Sequence, residues 1–194
     1  MHRIVLLLAL ICLPGMSLQA ADSQNRFALK GAGFLPCGVF LQERQRKSNV
    51  YYMVGGWLEG YISAHNRYTT NTYDVAAFES LELLLGVVEK HCSSRPRDRL
   101  HAVVSSMVEQ LHPQRVVEES PRLEIADETR KTQLYRETVR RMQAKLTELG
   151  LYKAEVDGRY TDATKAALIA YQSDLEFEET GFPDQTTLWR LLRN

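Results

Sequence analysis

Apolar side chains recur at helical spacing through the last third of the chain, and polar residues fill the positions between them. The spacing predicts two amphipathic helices. Their apolar positions are Val139, Met142, Leu146 and Leu149 in the first, and Ala163, Ala167, Leu168, Tyr171 and Leu175 in the second. Gly150 follows the first helix as a C-cap glycine does, and Asp184 is placed to cap a short third helix. Residues 134–194 therefore form a predicted three-helix bundle.

The same periodicity appears in four segments of residues 34–112, where we find no strand pattern in the sequence. The predicted helices are a short one around Phe40, one from about Val50 to Tyr68, one from Asp74 to about His91, and one from Leu100 to Leu111. Asp74 is the expected N-cap of the third helix. The fold class predicted for the whole chain is all-α, with a four-helix N-terminal domain and a three-helix C-terminal domain.

Residues 113–133 separate the two predicted domains and differ from them in composition. They contain Pro113 and Pro121, a run of mixed charge and few apolar residues. This composition is typical of a semi-flexible tether. The sequence thus predicts two domains that move with some independence.

Residues 1–20 have the pattern of a secretory signal peptide, with a basic start, an apolar run from Ile4 to Leu13, and a small residue at Ala20. The apolar run is shorter than the roughly 20 residues that a membrane-spanning helix needs. Two alternatives remain, a permanent membrane anchor and a lipid attached at Cys12. Cleavage near Ala20 predicts an exported chain with no membrane span after processing, located in the periplasm.

Two cysteines follow the predicted signal peptide, Cys37 and Cys92. In an exported protein, an isolated cysteine pair is most simply explained by one disulfide. A loop of about fifty-five residues would give it about 4 kcal/mol on a chain-entropy estimate. The alternative is a free, reactive Cys92 beside His91. The preferred disulfide would join the first helix of the N-terminal domain to the end of the third.

Composition and motifs argue against several classes of function. Lysine and arginine number 24, as do aspartate and glutamate, so there is no basic excess for binding nucleic acid. The histidines beyond residue 20 never stand at the i, i+4 spacing of a helical zinc motif. The sequence has no Gly-x-Ser-x-Gly elbow and no glycine-rich phosphate loop. We therefore expect no metal, no cofactor and no catalytic residue, and a protein that is not an enzyme.

Residues 135–194 resemble the peptidoglycan-binding type 1 module, a three-helix unit that binds the bacterial cell wall. The matching positions are Gln143, Leu146, Leu149, Gly150, Tyr152, Val156, Asp157, Gly158, Tyr160, Thr164, Ala167, Leu168, Tyr171, Gln172, Thr180, Gly181, Asp184, Thr187 and Leu191. The resemblance implies the three-helix fold and peptidoglycan as the ligand. The cysteine transpeptidase motif that often accompanies this module is absent from the sequence.

Two turn positions depart from the family pattern, Thr161 and Glu176. Thr161 stands where a glycine usually follows the aromatic residue, and it can still act as a helix N-cap. Glu176 stands where the second helix usually ends in glycine, and a left-handed backbone would strain it. We therefore expect the second helix to run slightly longer than in the family.

The predicted contacts to glycan or stem peptide are side chains with aromatic faces or hydrogen-bonding groups. Around a shallow groove, such groups can stack on the sugars and hydrogen-bond to the hydroxyls and carboxylates of a sugar-peptide polymer. The predicted ligand-binding residues are Tyr152, Asp157, Arg159, Tyr160 and Gln172. The alternative is that the tyrosines belong to the core, that Gln172 bonds a loop to its helix, and that Asp157 is only a turn residue.

Residues 34–112 resemble, over few positions, small periplasmic helical proteins of two kinds, acid-stress chaperones and immunity proteins of secreted wall amidases. The shared features are a cysteine on the first helix, the segment from Trp57 to Tyr61, and a second cysteine followed by Pro96. Those proteins bind other proteins, so the resemblance implies a protein partner. The expected function is a periplasmic peptidoglycan-binding protein whose N-terminal domain binds a partner at the wall. Two alternatives remain, an accessory or divergent cell-wall hydrolase and a periplasmic stress chaperone.

Overall fold

The computed structural model describes residues 21–24 and 26–193 of the chain. The predicted signal peptide, residues 1–20, lies outside the described residues, and so does Cys12. From Gly31 onward the chain forms one compact unit. Within the described ranges, we find no helix with the length and hydropathy that a membrane crossing requires.

Helices dominate this unit, and one β-hairpin interrupts them. The elements are α1 (Cys37–Arg46), α2 (Asn49–Tyr68), α3 (Leu81–Ser94), α4 (Leu100–Leu111), β1 (Arg122–Ala126), β2 (Lys131–Tyr135), α5 (Arg136–Glu148), α6 (Asp162–Asp174) and α7 (Gln185–Leu192). Short 3-10 turns lie at Gly31–Phe34 and His112–Gln114. We refer to residues 31–121 as the N-terminal half and to residues 122–193 as the C-terminal half.

Helices α1 to α4 each bury one face in a common core, as the periodicity predicts. Phe40 on α1, Leu58 on α2 and Leu100 on α4 are fully buried there. The bounds of α1, α2 and α4 agree closely with the prediction. The apolar face of each helix therefore decides how this half packs.

The third helix begins at Leu81, later than the sequence predicts. Its N-cap is Ser80, whose hydroxyl accepts a hydrogen bond from the Leu83 amide at 3.2 Å. Asp74, the predicted cap, instead accepts a hydrogen bond from the Tyr135 hydroxyl at 3.0 Å. Its carboxylate therefore joins the loop before α3 to the C-terminal half and caps no helix.

Cys37 and Cys92 form the predicted disulfide. Both residues are fully buried, and the bond joins the start of α1 to the last turns of α3. The alternative of a free, reactive Cys92 is wrong. The bond closes a loop across 55 residues, in which the whole of α2 lies.

Two antiparallel strands, β1 and β2, lie where the sequence analysis places a tether. The all-α prediction is wrong here, because apolar and polar positions alternate with the period of a strand in both segments. Ile125 and Leu134 are buried against the core of the C-terminal half. The turn forms around Asp127, whose carboxylate accepts hydrogen bonds from the amides of Thr129 and Arg130 at 2.9 and 2.7 Å.

Helices α5, α6 and α7 occupy the three segments that the sequence predicts. Asp184 caps α7, as expected, because its carboxylate accepts hydrogen bonds from the amides of Thr186 and Thr187 at 2.9 Å. Thr161 occupies the N-cap position of α6, but its side chain makes no capping hydrogen bond. The start of α6 therefore lacks the side-chain cap that stabilises the start of α7.

Helix α6 ends at Asp174, and Glu176 then adopts a left-handed backbone with a φ of 57°. The expected lengthening of this helix is wrong. The chain keeps the left-handed turn that a glycine usually supplies, and Glu176 bears the resulting strain.

One face of α7 contacts the N-terminal half directly. Gln185 donates a hydrogen bond to the Phe78 carbonyl oxygen at 2.7 Å. Trp189, one turn further, packs against the N-terminal core. Arg193 forms an ion pair with Glu79 at 2.6 Å, and both side chains are buried. The predicted tether is therefore not the only connection between the two halves.

Candidate functional site

The loop between α5 and α6, residues 149–161, is held by the buried side chain of Gln143. Its amide nitrogen donates to the Arg159 carbonyl oxygen at 2.8 Å and to the Tyr152 hydroxyl at 3.1 Å. Its amide oxygen accepts a hydrogen bond from the Gly158 amide at 2.8 Å. A neutral amide suits this position because it donates and accepts at the same time.

Gly158 allows the loop to approach α5 closely. Its φ is +74°, a left-handed conformation that favours glycine. A Cβ atom at this position would lie 2.8 Å from the Arg136 carbonyl oxygen, which is closer than real contacts allow. Backbone conformation and space therefore both require glycine here.

The loop between α6 and α7 is held in the same way by Gln172, which is 1% exposed. Its amide oxygen accepts a hydrogen bond from the Gly181 amide at 2.7 Å, and its amide nitrogen donates to the Phe182 carbonyl oxygen at 3.1 Å. Gly181 has a φ of +67°, and a Cβ atom there would lie 3.2 Å from the Lys165 carbonyl oxygen. Both loops thus lie against the preceding helix through a glycine and a buried glutamine.

Two of the five predicted ligand-binding residues lie in these buried networks. Tyr152 is 4% exposed, and its hydroxyl donates to the Glu155 carbonyl oxygen at 2.9 Å. Gln172 uses its amide on the second loop. Their side chains hold the two loops from inside, as the alternative of core tyrosines and a loop-bonding Gln172 expects.

Asp157 and Arg159 lie together at the exposed end of the first loop. The Asp157 carboxylate accepts a hydrogen bond from the Arg159 amide at 2.8 Å, which lowers the pKa of this carboxyl group. The Arg159 side chain is 72% exposed and lies 3.7 Å from the same carboxylate. The loop therefore presents an anion held by the backbone and a solvent-exposed cation.

Tyr160 connects the two loops. Its hydroxyl donates to the Gly181 carbonyl oxygen, and burial raises its pKa well above the usual value. The ring also lines a narrow slot between the hairpin and the second loop, together with Ile125, Asp127, Thr180 and Phe182. Of the five predicted residues, only Tyr160 lines this slot, while Asp157 and Arg159 lie at the exposed end of the first loop.

The hairpin places Arg130, which the sequence analysis missed, beside the second loop. The guanidinium of Arg130 lies over the Phe182 ring, 4.6 Å from its centre, and pairs with Asp127 at 2.6 Å. This ion pair lowers the pKa of Asp127. Arg130 also lines a shallow groove of about 230 Å³ with Glu178 and Asp184. The strand alternation before and after the turn is the signal that could have placed Arg130 here.

Helix α2 has an exposed face in the N-terminal half. Tyr52, Met53 and Tyr68 are 63%, 48% and 79% exposed. Where side chains would stand at Gly56 and Gly60, no atom of the described chain lies within 4 Å. Each glycine lowers helix stability by about 1 kcal/mol relative to alanine. Packing within the described part of the chain therefore gives no reason for glycine at these two positions.

Two histidine rings face each other where α2 and α4 end. The ring nitrogens of His65 and His112 lie 3.4 Å apart, and the rings meet edge to face. Burial lowers the pKa of His65, and the charges of His112 and Arg115 lower it further. Across the described ranges, no three histidine, cysteine, aspartate or glutamate side chains are grouped to hold a metal ion.

Comparison with known proteins gives one family match, which lies in the C-terminal half. No curated protein and no solved structure matches the chain. The family match begins at the last residue of β2, covers α5 and α6 with both loops, and ends within α7. It therefore includes both glutamine networks and all five predicted ligand-binding residues. Residues 135–191 of this chain match the family described as putative peptidoglycan binding domain.

Proposed function

We propose that this chain is a periplasmic, non-enzymatic protein whose C-terminal half binds peptidoglycan and whose N-terminal half binds a protein partner at the cell wall. The family match of residues 135–191 carries the first part. The networks of Gln143 and Gln172 support it, because they fix the two loops before any ligand arrives. A fixed surface loses less entropy when it binds a polymer.

The surface that we assign to the wall polymer is the exposed end of the α5–α6 loop. Arg159 offers a planar fork of donors, which suits the carboxylates of stem peptides. Asp157 can accept hydrogen bonds from sugar hydroxyls, and Tyr160 adds the exposed part of its ring. Tyr152 and Gln172 support this surface from the core.

The surface that we assign to the protein partner is the exposed face of α2. Tyr52, Met53 and Tyr68 supply apolar contact area, and aromatic residues and methionine are enriched in protein interfaces. Gly56 and Gly60 leave space for a close approach between them. A partner that enters this space would account for two glycines that the chain itself does not require.

The two activities reinforce each other because they share one chain. Wall binding places the N-terminal half beside the polymer and raises its effective concentration against a partner that works there. The contacts of α7 support this arrangement, since the buried pair of Arg193 with Glu79 joins the two halves. The partner-binding face would therefore keep one orientation relative to the wall.

Sedimentation with purified, insoluble peptidoglycan sacculi tests the wall-binding part. The mature chain should appear in the pellet, and Arg159→Ala should weaken its affinity by about fivefold or more. Arg97→Ala is the matched control, since Arg97 is exposed in the N-terminal half. A wild-type chain that stays in solution at every sacculus concentration contradicts the proposal.

Site-specific photo-cross-linking in the bacterium that encodes the chain tests the partner-binding part. A photo-reactive residue at Met53 should give one discrete cross-linked protein, and Gly56→Leu should abolish it by filling the open face. The same label at Glu109, on an exposed position of α4, is the control. Identical products from both labelled positions would rule out α2 as the partner surface.

A stress chaperone is the second candidate function, and the facing rings of His65 and His112 favour it. Protonation of His65 would place a cation beside Arg115, where α2 and α4 end. Local opening there would expose apolar surface to an unfolded client. Binding of a denatured protein at about pH 4 and not at about pH 7 would support this candidate, and equal binding at both would reject it.

A further inference from the structure

The facing rings of His65 and His112 lie too far apart for a strong hydrogen bond. His65 is in the last turn of α2, and His112 directly follows α4. The Nε2 atom of His65 lies 3.4 Å from the Nδ1 atom of His112, and the ring centres are 5.5 Å apart. A well-formed hydrogen bond from a nitrogen donor spans roughly 2.7–3.2 Å. The separation of these two nitrogens therefore asks for a second explanation.

The same separation suits two ligands of one metal ion. A zinc ion binds imidazole nitrogen at about 2.0–2.1 Å in a tetrahedral arrangement, which places two ligand nitrogens about 3.3–3.4 Å apart. Imidazole is also a preferred ligand of copper and nickel. The two ring nitrogens of His65 and His112 thus have the spacing of neighbouring metal ligands.

The two rings are held by separate helices that share one core. Ile62 on α2 and Leu111 on α4, close in sequence to the two histidines, are buried in the N-terminal core. Arg115 holds the backbone of His112, because its guanidinium donates a hydrogen bond to the His112 carbonyl oxygen at 3.1 Å. Both rings are half-buried, so part of each remains accessible. A pair fixed in this way loses less entropy when it binds an ion.

The charges around the pair act in both directions on a bound cation. The last carbonyl groups of a helix carry a partial negative charge, and α2 and α4 both end beside the pair. Arg115, whose charge acts on His65, opposes a cation there. Its guanidinium also donates a hydrogen bond to the Asn71 carbonyl oxygen at 2.8 Å. Removal of the Arg115 charge should therefore strengthen the binding of a metal ion.

We propose that His65 and His112 bind one divalent transition-metal ion of the class that prefers imidazole, which includes Cu²⁺, Ni²⁺ and Zn²⁺. His65 contributes Nε2 and His112 contributes Nδ1, and water fills the remaining positions of the ion. The bound ion ties the end of α2 to the end of α4. This site goes beyond the proposed function, since neither wall binding nor partner binding uses these rings.

The sequence analysis could not find this pair. A helical zinc motif places two histidines four residues apart on one helix. His65 and His112 are 47 residues apart in the chain and meet only in the folded structure. Within the described ranges, no third histidine, cysteine, aspartate or glutamate joins them in a group that could hold a metal ion. The chain therefore offers the ion two ligands, fewer than a structural zinc site has.

Isothermal titration calorimetry of the mature chain without an affinity tag tests the site. The probes are the chlorides of Cu²⁺, Ni²⁺ and Zn²⁺ at about pH 7.5, where imidazole is mostly neutral. The wild type should bind one equivalent of ion, Cu²⁺ most tightly, that the double variant His65→Phe with His112→Phe does not bind. Each single variant should weaken binding by about tenfold or more. Equal binding by the wild type and the double variant would overturn the proposal.

Two control variants separate this site from other histidines and other charges. His91→Gln should bind as the wild type does, because His91 pairs with Asp98 elsewhere in the N-terminal half. Arg115→Gln keeps both ligand rings, removes the opposing charge and should bind about threefold more tightly. Arg97→Gln, at an exposed position, should leave the affinity unchanged. Unchanged or weaker binding by Arg115→Gln would contradict the site.

Nitrogen-15 NMR of the imidazole rings identifies the ligand atoms in the wild type. Zn²⁺, which is diamagnetic, should shift the resonances of His65 Nε2 and His112 Nδ1 and leave those of His91 and His101 in place. Because this measurement needs no variant, it gives a result even where a histidine variant fails to fold. Shifts confined to His91 or His101 would place the ion elsewhere and overturn the proposal. Sedimentation with sacculi would be unaffected by that outcome.

Discussion

Gln143 and Gln172 perform the same task on successive helices. Each accepts a hydrogen bond from a loop glycine, Gly158 or Gly181, and donates one to the carbonyl oxygen of the next residue. Each also donates to a threonine of the following helix. The C-terminal half therefore contains one device twice, in which a buried amide fixes the loop that follows its helix.

Gln172→Met should destabilise the protein by about 2 to 4 kcal/mol. Methionine has a similar shape but leaves the Gly181 amide and the Phe182 carbonyl oxygen buried without this partner, at about 1–3 kcal/mol for each unsatisfied group. Urea unfolding measures the loss. Gln133→Met is the matched control, because Gln133 is exposed on β2 and its change should cost less than about 0.5 kcal/mol.

Glu176→Gly should stabilise the protein by about 1 kcal/mol. The backbone at Glu176 is left-handed. This conformation strains a residue that has a Cβ atom, and glycine adopts it without that strain. The reciprocal change is Gly150→Ala, where φ is +77° and the space is open, so only the backbone is strained. It should destabilise by a similar amount. Thermal unfolding compares both variants, and an unchanged or lower midpoint for Glu176→Gly would contradict the strain argument.

Most helices could be predicted from the sequence because each buries one face and so carries a periodic apolar pattern. Helix α2 illustrates this, since it was expected from about Val50 and begins at Asn49. The hairpin was missed because its alternation covers only a few apolar residues among many charges. Period two over so short a stretch is a weak signal beside a composition that is typical of linkers.

The candidate site was harder to predict because a buried polar residue produces no periodic apolar pattern in the sequence. Gln172 is of a residue type that is mostly exposed in proteins, so its identity gives no sign of burial. Its contacts with Gly181 and Phe182 bear out the alternative that Gln172 bonds a loop to its helix. The contact face of α7 does have a signal, since Gln185, Trp189 and Arg193 stand four residues apart. Its partner segment is about a hundred residues away in the chain, and no spacing rule connects the two.

Arg193→Met should destabilise the protein by about 3 kcal/mol at pH 8, because it leaves the Glu79 carboxylate buried without its cation. Burial already raises the pKa of Glu79 above 4.5, and Arg193 opposes that shift. Without Arg193 the pKa rises further. When the pKa of a group is raised in the folded state, the stability of the protein falls as pH rises through that pKa. The variant should therefore be destabilised less at about pH 5 than at pH 8.

The double variant Glu79→Leu with Arg193→Met is the control for this ion pair. It removes both charges together, and such replacements are often neutral. Its stability should lie within about 1 kcal/mol of the wild type and should not depend on pH in the way the single variant does. Equal losses in the single and double variants would show that the pair contributes through packing alone.

His65 should make the protein less stable as pH falls below about 6.5, the value at which its unfolded form takes up a proton. Its folded pKa is lowered by burial first, then by His112 and Arg115, so the unfolded chain binds the proton more tightly. The contribution of His65 to stability is therefore greatest above pH 6.5 and declines below it. His65→Phe keeps a ring edge against His112 and removes the titration, so its urea midpoint should change less between pH 7 and pH 5. Comparison with the wild type over that interval cancels the opposite contribution of Glu79, and parallel curves would mean that His65 does not cause the acid sensitivity.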